Sequence, residues 1–311
     1  MNKISKALSD KVKTYNFQEY THCNMCLSSK DQFKLLGRRL DKAHGYSPKK
    51  KVGVVNTIMR CKNCQVVFAN PLPIPNDIQD HYNMDPTEYW PKEYFNIAAN
   101  EFRTQIDHLK KIKGINNGDK YLDIGAGLGK VMIVLEKEGM DVYGIEPSEA
   151  FHRMAIEKMG IDKSKIQLTD IERASFESNY FDFISFGAVL EHLYYPGESI
   201  LKAMEWLKPG GVIQIEVPNS QYLLTKCLNL FNKIRMSEYV SHLSPMHPPF
   251  HLYEFSTKTF EKHAELNGYT VLDQNIDVCT TPGPKLLSMI LDPIMNMMNT
   301  GMQLTVWLQK N

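Results

Sequence analysis

The sequence predicts an α/β fold, a doubly wound parallel sheet covered by helices on both faces, with a small cysteine-rich module before it. Two observations carry this prediction. From residue 119 onwards, short apolar runs alternate with segments of helical periodicity, which is typical of parallel strands joined by right-handed crossovers. Four of the six cysteines form two close pairs within residues 23–64. A chain of 311 residues also has the length of about two domains.

The first elements of the sheet surround a glycine-rich turn. Tyr121–Ile124 is an apolar run that predicts a buried strand, and Lys130–Met140 has helical spacing. Between them lies a turn with three glycines, and a second strand ends at Glu146. The other predicted elements are helices at 101–114, 151–160, 199–207, 221–236 and 257–267, and strands at 165–170, 180–186, 212–217, 269–278 and 302–309.

Composition excludes some classes of protein. The chain has 36 basic and 35 acidic residues and a net charge of +1, which gives no electrostatic footprint for nucleic acid. The first twenty residues contain no apolar segment of signal-peptide length, and no window approaches the ~18 apolar residues of a membrane span. We therefore expect a cytoplasmic protein.

The glycine turn indicates the kind of ligand. Its pattern is D-x-G-x-G-x-G, from Asp123 to Gly129, and position 130 is lysine where a dinucleotide-binding fingerprint would need glycine. Glycines let the backbone approach a ligand closely. An acid at Asp123 disfavours a pyrophosphate but suits the ammonium group of S-adenosylmethionine, and Glu146 stands where an acid can bind ribose hydroxyls.

With these motifs, residues 95–311 resemble the class I S-adenosylmethionine-dependent methyltransferases. The resemblance implies a Rossmann-like seven-stranded sheet whose last strand, 302–309, is antiparallel. It extends to the fourth-strand motif at 181–192 and to the turn at 208–211. The cofactor-binding residues that it implies are Asp123, Gly125, Gly127 and Gly129 at the turn, Glu146 at the ribose, Asp170 and Ile171 at the adenine, and Gly187 after the fourth strand.

The paired cysteines predict a metal site. Cys23-x-x-Cys26 and Cys61-x-x-Cys64 have the spacing of two thiolate knuckles that complete a tetrahedral zinc site. The segment between the pairs looks like the loop and strand of a zinc ribbon. The alternative is that a C-x-x-C pair is a redox motif, but such motifs lie near a βαβ pattern, and none surrounds either pair. Cys227 and Cys279 lie in apolar contexts, and we expect them in the core.

Candidate acceptor-site residues follow the fourth strand. Leu190-Glu191-His192-Leu193 resembles the Glu-His pair of ubiquinone-pathway O-methyltransferases and sugar methyltransferases. The resemblance makes His192 the first candidate for a general base, with Glu191 orienting it or binding acceptor hydroxyls; alternatively, His192 only caps or packs. The rival base is His251, in the loop 246–256.

The same loop argues against carbon methylation. Deoxysugar C-methyltransferases with a four-cysteine module have Tyr-x-Glu-His at this point, where the present chain has Pro248, Phe250 and His251. The tyrosine and the glutamate are missing, and we expect no counterpart of the large C-terminal domain of those enzymes. An O-methyltransferase that needs only a histidine base fits better.

The predicted organisation has three parts. They are a zinc-ribbon module at 1–75, a helical and aromatic linker or lid at 76–118, and a methyltransferase domain at 119–311 with insertions at 220–256 and 282–300. The linker contains a helix at 76–86 and an aromatic cluster of Tyr82, Tyr89, Trp90, Tyr94 and Phe95. The second insertion is rich in methionine, with Pro293 interrupting a long helix, and we expect it to pack on the core or in a homodimer contact rather than on a membrane surface.

The leading functional hypothesis is an enzyme that O-methylates a sugar or glycan-linked hydroxyl in surface-polysaccharide or nucleotide-sugar metabolism. This pathway rests on resemblance alone, through the four cysteines and the run Cys61–Pro71. Two alternatives remain: an RNA methyltransferase whose zinc ribbon grips RNA, and a non-catalytic adaptor whose ribbon binds a partner protein.

Overall fold

The computed structural model describes residues 15–41, 54–76, 96–97, 101–247, 249–279 and 285–311. The predicted aromatic cluster from Tyr82 to Phe95, and almost all of the helix predicted before it, lie outside these residues. The strands are β1 (Tyr15–Gln18), β2 (Phe33–Asp41), β3 (Val54–Cys61), β4 (Val67–Ala69), β5 (Leu72–Pro75), β6 (Lys120–Ile124), β7 (Asp141–Ile145), β8 (Ile166–Gln167), β9 (Phe181–Gly187), β10 (Leu207–Pro218), β11 (Tyr253–Glu254), β12 (Thr270–Asp277) and β13 (Gln303–Gln309).

The helices cover both faces of the main sheet. They are α1 (Arg103–Ile112), α2 (Lys130–Lys137), α3 (Glu149–Glu157), α4 (Pro196–Trp206), α5 (Leu223–Ile234), α6 (Thr257–Asn267) and α7 (Lys285–Met298). Two of the helix starts follow from local side-chain chemistry. The Ser148 side chain caps α3, and Ser256 and Thr259 form a reciprocal capping box at α6. No helix among the described residues is long and apolar enough to cross a bilayer.

The main sheet confirms the predicted fold class. Its order is β12-β13-β10-β9-β6-β7-β8, and β6 to β10 pair in parallel. Strand β13 is antiparallel to both of its neighbours, β10 and β12, as the sequence predicted for the last strand. Because parallel strands place their carboxyl ends at one edge, the loops that follow β6, β7 and β9 meet there.

The N-terminal residues form smaller sheets that join the main body. One has the order β11-β4-β3-β2, and β1 pairs with β5. Strand β11 comes from the chain after β10, so the C-terminal part completes the sheet of the cysteine module. Buried residues of both parts share one hydrophobic cluster, including Cys64, Phe68, Tyr253 and Phe260. The predicted boundaries at 75 and 118 stay predictions.

Some details of the strands could not be read from local patterns. Leu72–Pro75 is strand β5 despite its prolines, since a strand paired on one side tolerates prolines. The predicted turn at 208–211 lies inside strand β10, where the pairing of β10 with β9 shifts register between Leu207 and Val212.

The surface segments also differ from expectation. Helix α7 continues through Pro293, and only Met295 is buried in it, so the methionine-rich insertion is mostly exposed rather than packed in the core. Cys227 and Cys279 are exposed rather than in the core; Cys227 lies on a helix, α5, that buries none of its residues, and Cys279 follows the end of β12.

Candidate functional site

Asp123 ends β6 as a buried acid. Its side chain is 4% exposed, and its Oδ1 accepts a hydrogen bond from Ser185 Oγ on β9 at 3.0 Å. Tyr121 in turn lies 2.6 Å from Ser185 Oγ, which leaves the tyrosine as the donor. Burial raises the pKa of Asp123 to about 7. No positive side chain compensates this acid within the described residues, so the position favours a cationic ligand.

The turn after Asp123 depends on glycine. Gly125, Gly127 and Gly129 have φ of 71°, 55° and 70°, the left-handed region that glycine adopts without strain. A Cβ at Gly125 would lie 2.5 Å from Val189 Cγ2, and one at Gly129 would lie 2.8 Å from Ile161 Cγ1. The turn therefore packs tightly against the loop that follows β9, and it opens α2 at Lys130.

Glu146 follows β7 and holds the glycine turn from the other side. It is 6% exposed; the Gly127 N–H donates to its Oε2 at 2.8 Å, and the Ser148 N–H donates to its Oε1 at 2.7 Å. Burial raises the pKa of Glu146 to about 7. Each carboxylate oxygen keeps a second lone pair that could accept a ligand hydroxyl.

The other predicted cofactor residues lie in the loops at the same edge. Asp170 follows β8, and its carboxylate accepts the Arg173 N–H at 2.9 Å and pairs with the Arg173 guanidinium at 2.5 Å. The Ile171 side chain is buried. Gly187 ends β9, beside Glu216 of β10.

Glu191, His192 and His251 come together at the same edge. A short 3-10 helix at Leu190–His192 follows β9, and the loop before β11 brings His251 against it. The two imidazole rings lie 5.1 Å apart, centroid to centroid. Nε2 of each histidine lies 3.8 Å from Glu191 Oε1. Both candidate bases therefore face one carboxylate.

Burial sets the charge of this cluster. Glu191 is 2% exposed, and burial raises its pKa to about 8. Burial lowers the pKa of His192 to about 4 and that of His251 well below its ordinary value. The His192 Nδ1–H donates to the Phe250 carbonyl at 3.2 Å, which leaves Nε2 with its lone pair. Neutral imidazoles of this kind can accept a proton or bind a cation.

Sequence reasoning missed Glu216 on β10. The side-chain amides of Gln214 and Gln105 donate to its Oε1 at 2.8 and 3.1 Å, and that of Gln303 donates to its Oε2 at 3.0 Å. Burial raises the pKa of Glu216. The signal was present in the strand, because Gln214 and Glu216 are polar residues on one face of an otherwise apolar run.

A cleft adjoins this carboxylate. About 400 Å³ of empty space lies between α1, α2 and the ends of β9 and β10. Its lining includes Phe102, Gln105, Ser185, Gly187 and Glu216. Ser185, the residue that donates to Asp123, thus lines the same cleft as Glu216.

The four predicted zinc ligands also come together. The Sγ atoms of Cys23 and Cys64 are 3.6 Å apart, as are those of Cys26 and Cys61, and all four lie within 4.8 Å of one another. A tetrahedron with Zn–S bonds of about 2.3 Å has edges of about 3.8 Å. The four thiols could therefore hold a zinc ion with little movement.

Comparison with known proteins agrees with this architecture. A family model described as a methyltransferase domain matches residues 94–274, more than half of the chain. A ubiquinone biosynthesis O-methyltransferase of Coxiella burnetii is 29% identical over 161 residues, 50% of this chain and 65% of its own. Phosphoethanolamine N-methyltransferase 2 of Caenorhabditis elegans is 28% identical over 130 residues, 40% of this chain and 30% of its own. The chain thus spans less than two thirds of each of these relatives.

Solved structures are similar at low sequence identity. A methyltransferase in complex with the Haloferax volcanii Trm112 activator has a TM-score of 0.48 and 15% identity, over 68% of this chain and 93% of that one. An S-adenosylmethionine-dependent methyltransferase from Archaeoglobus fulgidus has a TM-score of 0.48 and 16% identity, over 70% and 97%. On the strength of the family match, the chain belongs to the methyltransferase-domain family, and the prediction of a methyltransferase domain is confirmed.

Proposed function

We propose that this protein methylates a hydroxyl oxygen of a sugar or glycan-linked acceptor, in surface-polysaccharide or nucleotide-sugar metabolism. The observation that carries the proposal is the buried cluster of Glu191, His192 and His251 beside the glycine turn. Val189, two residues before Glu191, packs against Gly125, so the cluster adjoins the proposed cofactor site. A hydroxyl acceptor requires a group that removes its proton, and a neutral histidine is such a group.

In the proposed cofactor site, each residue contacts a different part of S-adenosylmethionine. Asp123 binds the ammonium group, the backbone of the glycine turn and Gly187 approach the amino-acid part, Glu146 binds the ribose hydroxyls, and Asp170 and Ile171 contact the adenine. S-adenosylmethionine supplies a methyl group activated by its sulfonium. Two buried acids with raised pKa, Asp123 and Glu146, support a ligand that brings positive charge and hydroxyl donors.

His192 is the proposed base. Its Nδ1–H is held by the Phe250 carbonyl, which fixes the tautomer and leaves Nε2 able to take the proton of the acceptor hydroxyl. Glu191 orients the histidine, and His251 is the rival base because its Nε2 is equally close to Glu191. In-line transfer then requires chiefly that the acceptor oxygen and the methyl carbon be aligned.

The names of relatives and the residues missing from one motif favour oxygen as the methyl acceptor. Curated relatives include proteins named as O-methyltransferases and one named as an N-methyltransferase. The tyrosine and glutamate that accompany carbon methylation in related deoxysugar enzymes are missing from this chain. We further propose a structural zinc at the four cysteines and a cytoplasmic location, where thiols stay reduced.

One experiment tests the acceptor class. Purified protein and S-adenosylmethionine labelled on its methyl group are incubated with cell extract separated into sugar-nucleotide, lipid-linked glycan, RNA and small-metabolite pools. Label is expected in a carbohydrate pool, and a Glu146→Ala variant serves as the control with a disabled cofactor site. Label in RNA would favour an RNA methyltransferase instead, and label in no pool would favour the adaptor hypothesis.

A further inference from the structure

We propose that Glu191, His192 and His251 together bind a divalent first-row transition-metal cation, with a position left open for the acceptor oxygen. The role of the cation in methyl transfer rests on the proposed function, but the site itself rests on geometry alone. It is distinct from the four-cysteine cluster, whose donors are thiols.

The three side chains are already spaced as ligands. One donor atom from each residue lies within 4.8 Å of the other two, and both Nε2 atoms are 3.8 Å from Glu191 Oε1. Metal–nitrogen and metal–carboxylate bonds of about 2.0–2.2 Å place neighbouring ligands some 3–3.5 Å apart. Side-chain shifts of less than about 1 Å would close the set around one ion.

Surrounding contacts orient these ligands. The Phe250 carbonyl accepts the His192 Nδ1–H, the kind of hydrogen bond that metal-binding histidines make. His251 is fixed through its backbone: its carbonyl accepts the Ser244 N–H at 3.1 Å, and its N–H donates to Ser244 Oγ at 3.2 Å. The Leu252 N–H donates to the Glu191 carbonyl at 2.9 Å, which ties the loop to the 3-10 helix.

Glu191 needs a positive partner. Its Oε2 is fully buried and has no hydrogen-bond partner among the residues that the structure describes. Within the described part of the chain, the only basic groups within 4.0 Å of its carboxylate are the two histidines. A carboxylate in this position must take up a proton or a cation, and the two imidazole lone pairs beside it favour a cation.

The donor set limits the kind of ion. Two imidazole nitrogens and one carboxylate oxygen suit manganese, iron, cobalt or zinc better than magnesium or calcium. Three protein ligands leave open positions, as in catalytic rather than structural sites.

An acceptor hydroxyl bound at an open position loses its proton more readily. The proton passes to solvent water, the oxygen's electron pair forms the bond to the methyl carbon, and the sulfonium sulfur keeps the pair of the broken carbon–sulfur bond. Because a bound ion occupies the Nε2 lone pairs, it would replace His192 as the group that activates the hydroxyl.

The test uses Mn²⁺ as a probe on the protein as purified, because manganese prefers nitrogen and oxygen donors and leaves thiolate sites to softer ions. Electron paramagnetic resonance follows the loss of the free-ion signal during titration. We expect saturable binding of one Mn²⁺ per chain. His251→Ala, and Glu191→Gln, which keeps the side-chain shape, should each weaken it at least tenfold, since even outer contacts of metal sites matter 10–100-fold.

His247→Ala is the matched control, since His247 lies in the same loop but faces Arg39 at 3.4 Å; it should bind Mn²⁺ as the wild type does. Equal affinity in the wild type and in His251→Ala, in folded proteins with the same thermal unfolding, would overturn the proposal, as would the absence of saturable binding. Methyl transfer is measured separately. Mn²⁺ binding lost in the variants, without transfer to any acceptor by the wild type, supports the site and refutes the proposed function.

Discussion

The four-cysteine cluster and the Glu191–His192–His251 cluster are built in opposite ways. Each cysteine pair lies on one short knuckle, and the two knuckles are alike: Leu27 and Gln65 have φ of 57° and 67°, and their N–H groups donate to the Cys23 and Cys61 carbonyls at 2.9 Å each. In the second cluster, His251 reaches Glu191 only because the chain returns through a long loop to add β11 to the other sheet.

This difference determines what each cluster can do. Local hydrogen bonds fix the cysteines in a closed set of four soft donors, suited to a structural ion. The second cluster has three harder donors at the carboxyl edge of the main sheet and an open side. The four-cysteine cluster should therefore govern stability, and the Glu191–His192–His251 cluster should govern turnover. Substitutions in each cluster separate these two effects.

Replacing one cysteine should have the largest effect. Cys61→Ser removes one of the four proposed zinc ligands, and structural zinc contributes on the order of 10 kcal/mol or more to the folding of small modules. We expect loss of zinc by elemental analysis and a lower temperature of thermal unfolding. Cys227→Ser, at an exposed cysteine of α5, is the control and should change neither. A full equivalent of zinc in Cys61→Ser would contradict the assignment.

Replacing either histidine should reduce turnover without unfolding the protein. A positioned acid–base group contributes typically 10²–10⁴-fold to rate, so His192→Ala should lower kcat by about 10²-fold or more and leave the affinity for S-adenosylhomocysteine unchanged. If both histidines hold a cation, His251→Ala should cause a comparable loss. A loss confined to His192→Ala would instead identify that residue as the base, and wild-type turnover in both variants would remove the cluster from the mechanism.

Removing Glu146 should weaken cofactor binding. A hydrogen bond to a charged group contributes about 1.5–3 kcal/mol, so Glu146→Ala should raise the Kd for S-adenosylhomocysteine by about 10- to 150-fold in isothermal titration calorimetry. Asp162→Ala, at an exposed acid that accepts the Ser164 N–H, should leave it unchanged. Equal affinities in the two variants would argue against Glu146 as a ligand of the ribose.

The sequence predicted the parts of the molecule that are specified locally. The glycine turn, the strand ends at Asp123 and Glu146, and the cysteine knuckles each depend on residues within a few positions of one another. The meeting of His251 with Glu191 depends on tertiary contacts, and the place of the loop before the predicted helix at 257–267 and the resemblance to known enzymes could only suggest it.

The surroundings of Glu216 were not predicted, because they too depend on tertiary contacts. The amides around Glu216 come from α1, β10 and β13, three elements distant in sequence.

The smallest predicted effect concerns pH. Asp123 has a pKa of about 7 in the free protein because it is buried, and a cationic ligand favours its ionised form. Binding should therefore release a proton, and affinity for S-adenosylhomocysteine should rise between pH 6 and pH 8 by at most about tenfold for this one group. Asp123→Asn, which cannot ionise, should bind more weakly at pH 8 and lose this dependence. Calorimetry in buffers of different ionisation enthalpy measures the released proton directly. An identical pH profile in the variant would mean that another group carries the titration and that Asp123 does not bind the ammonium.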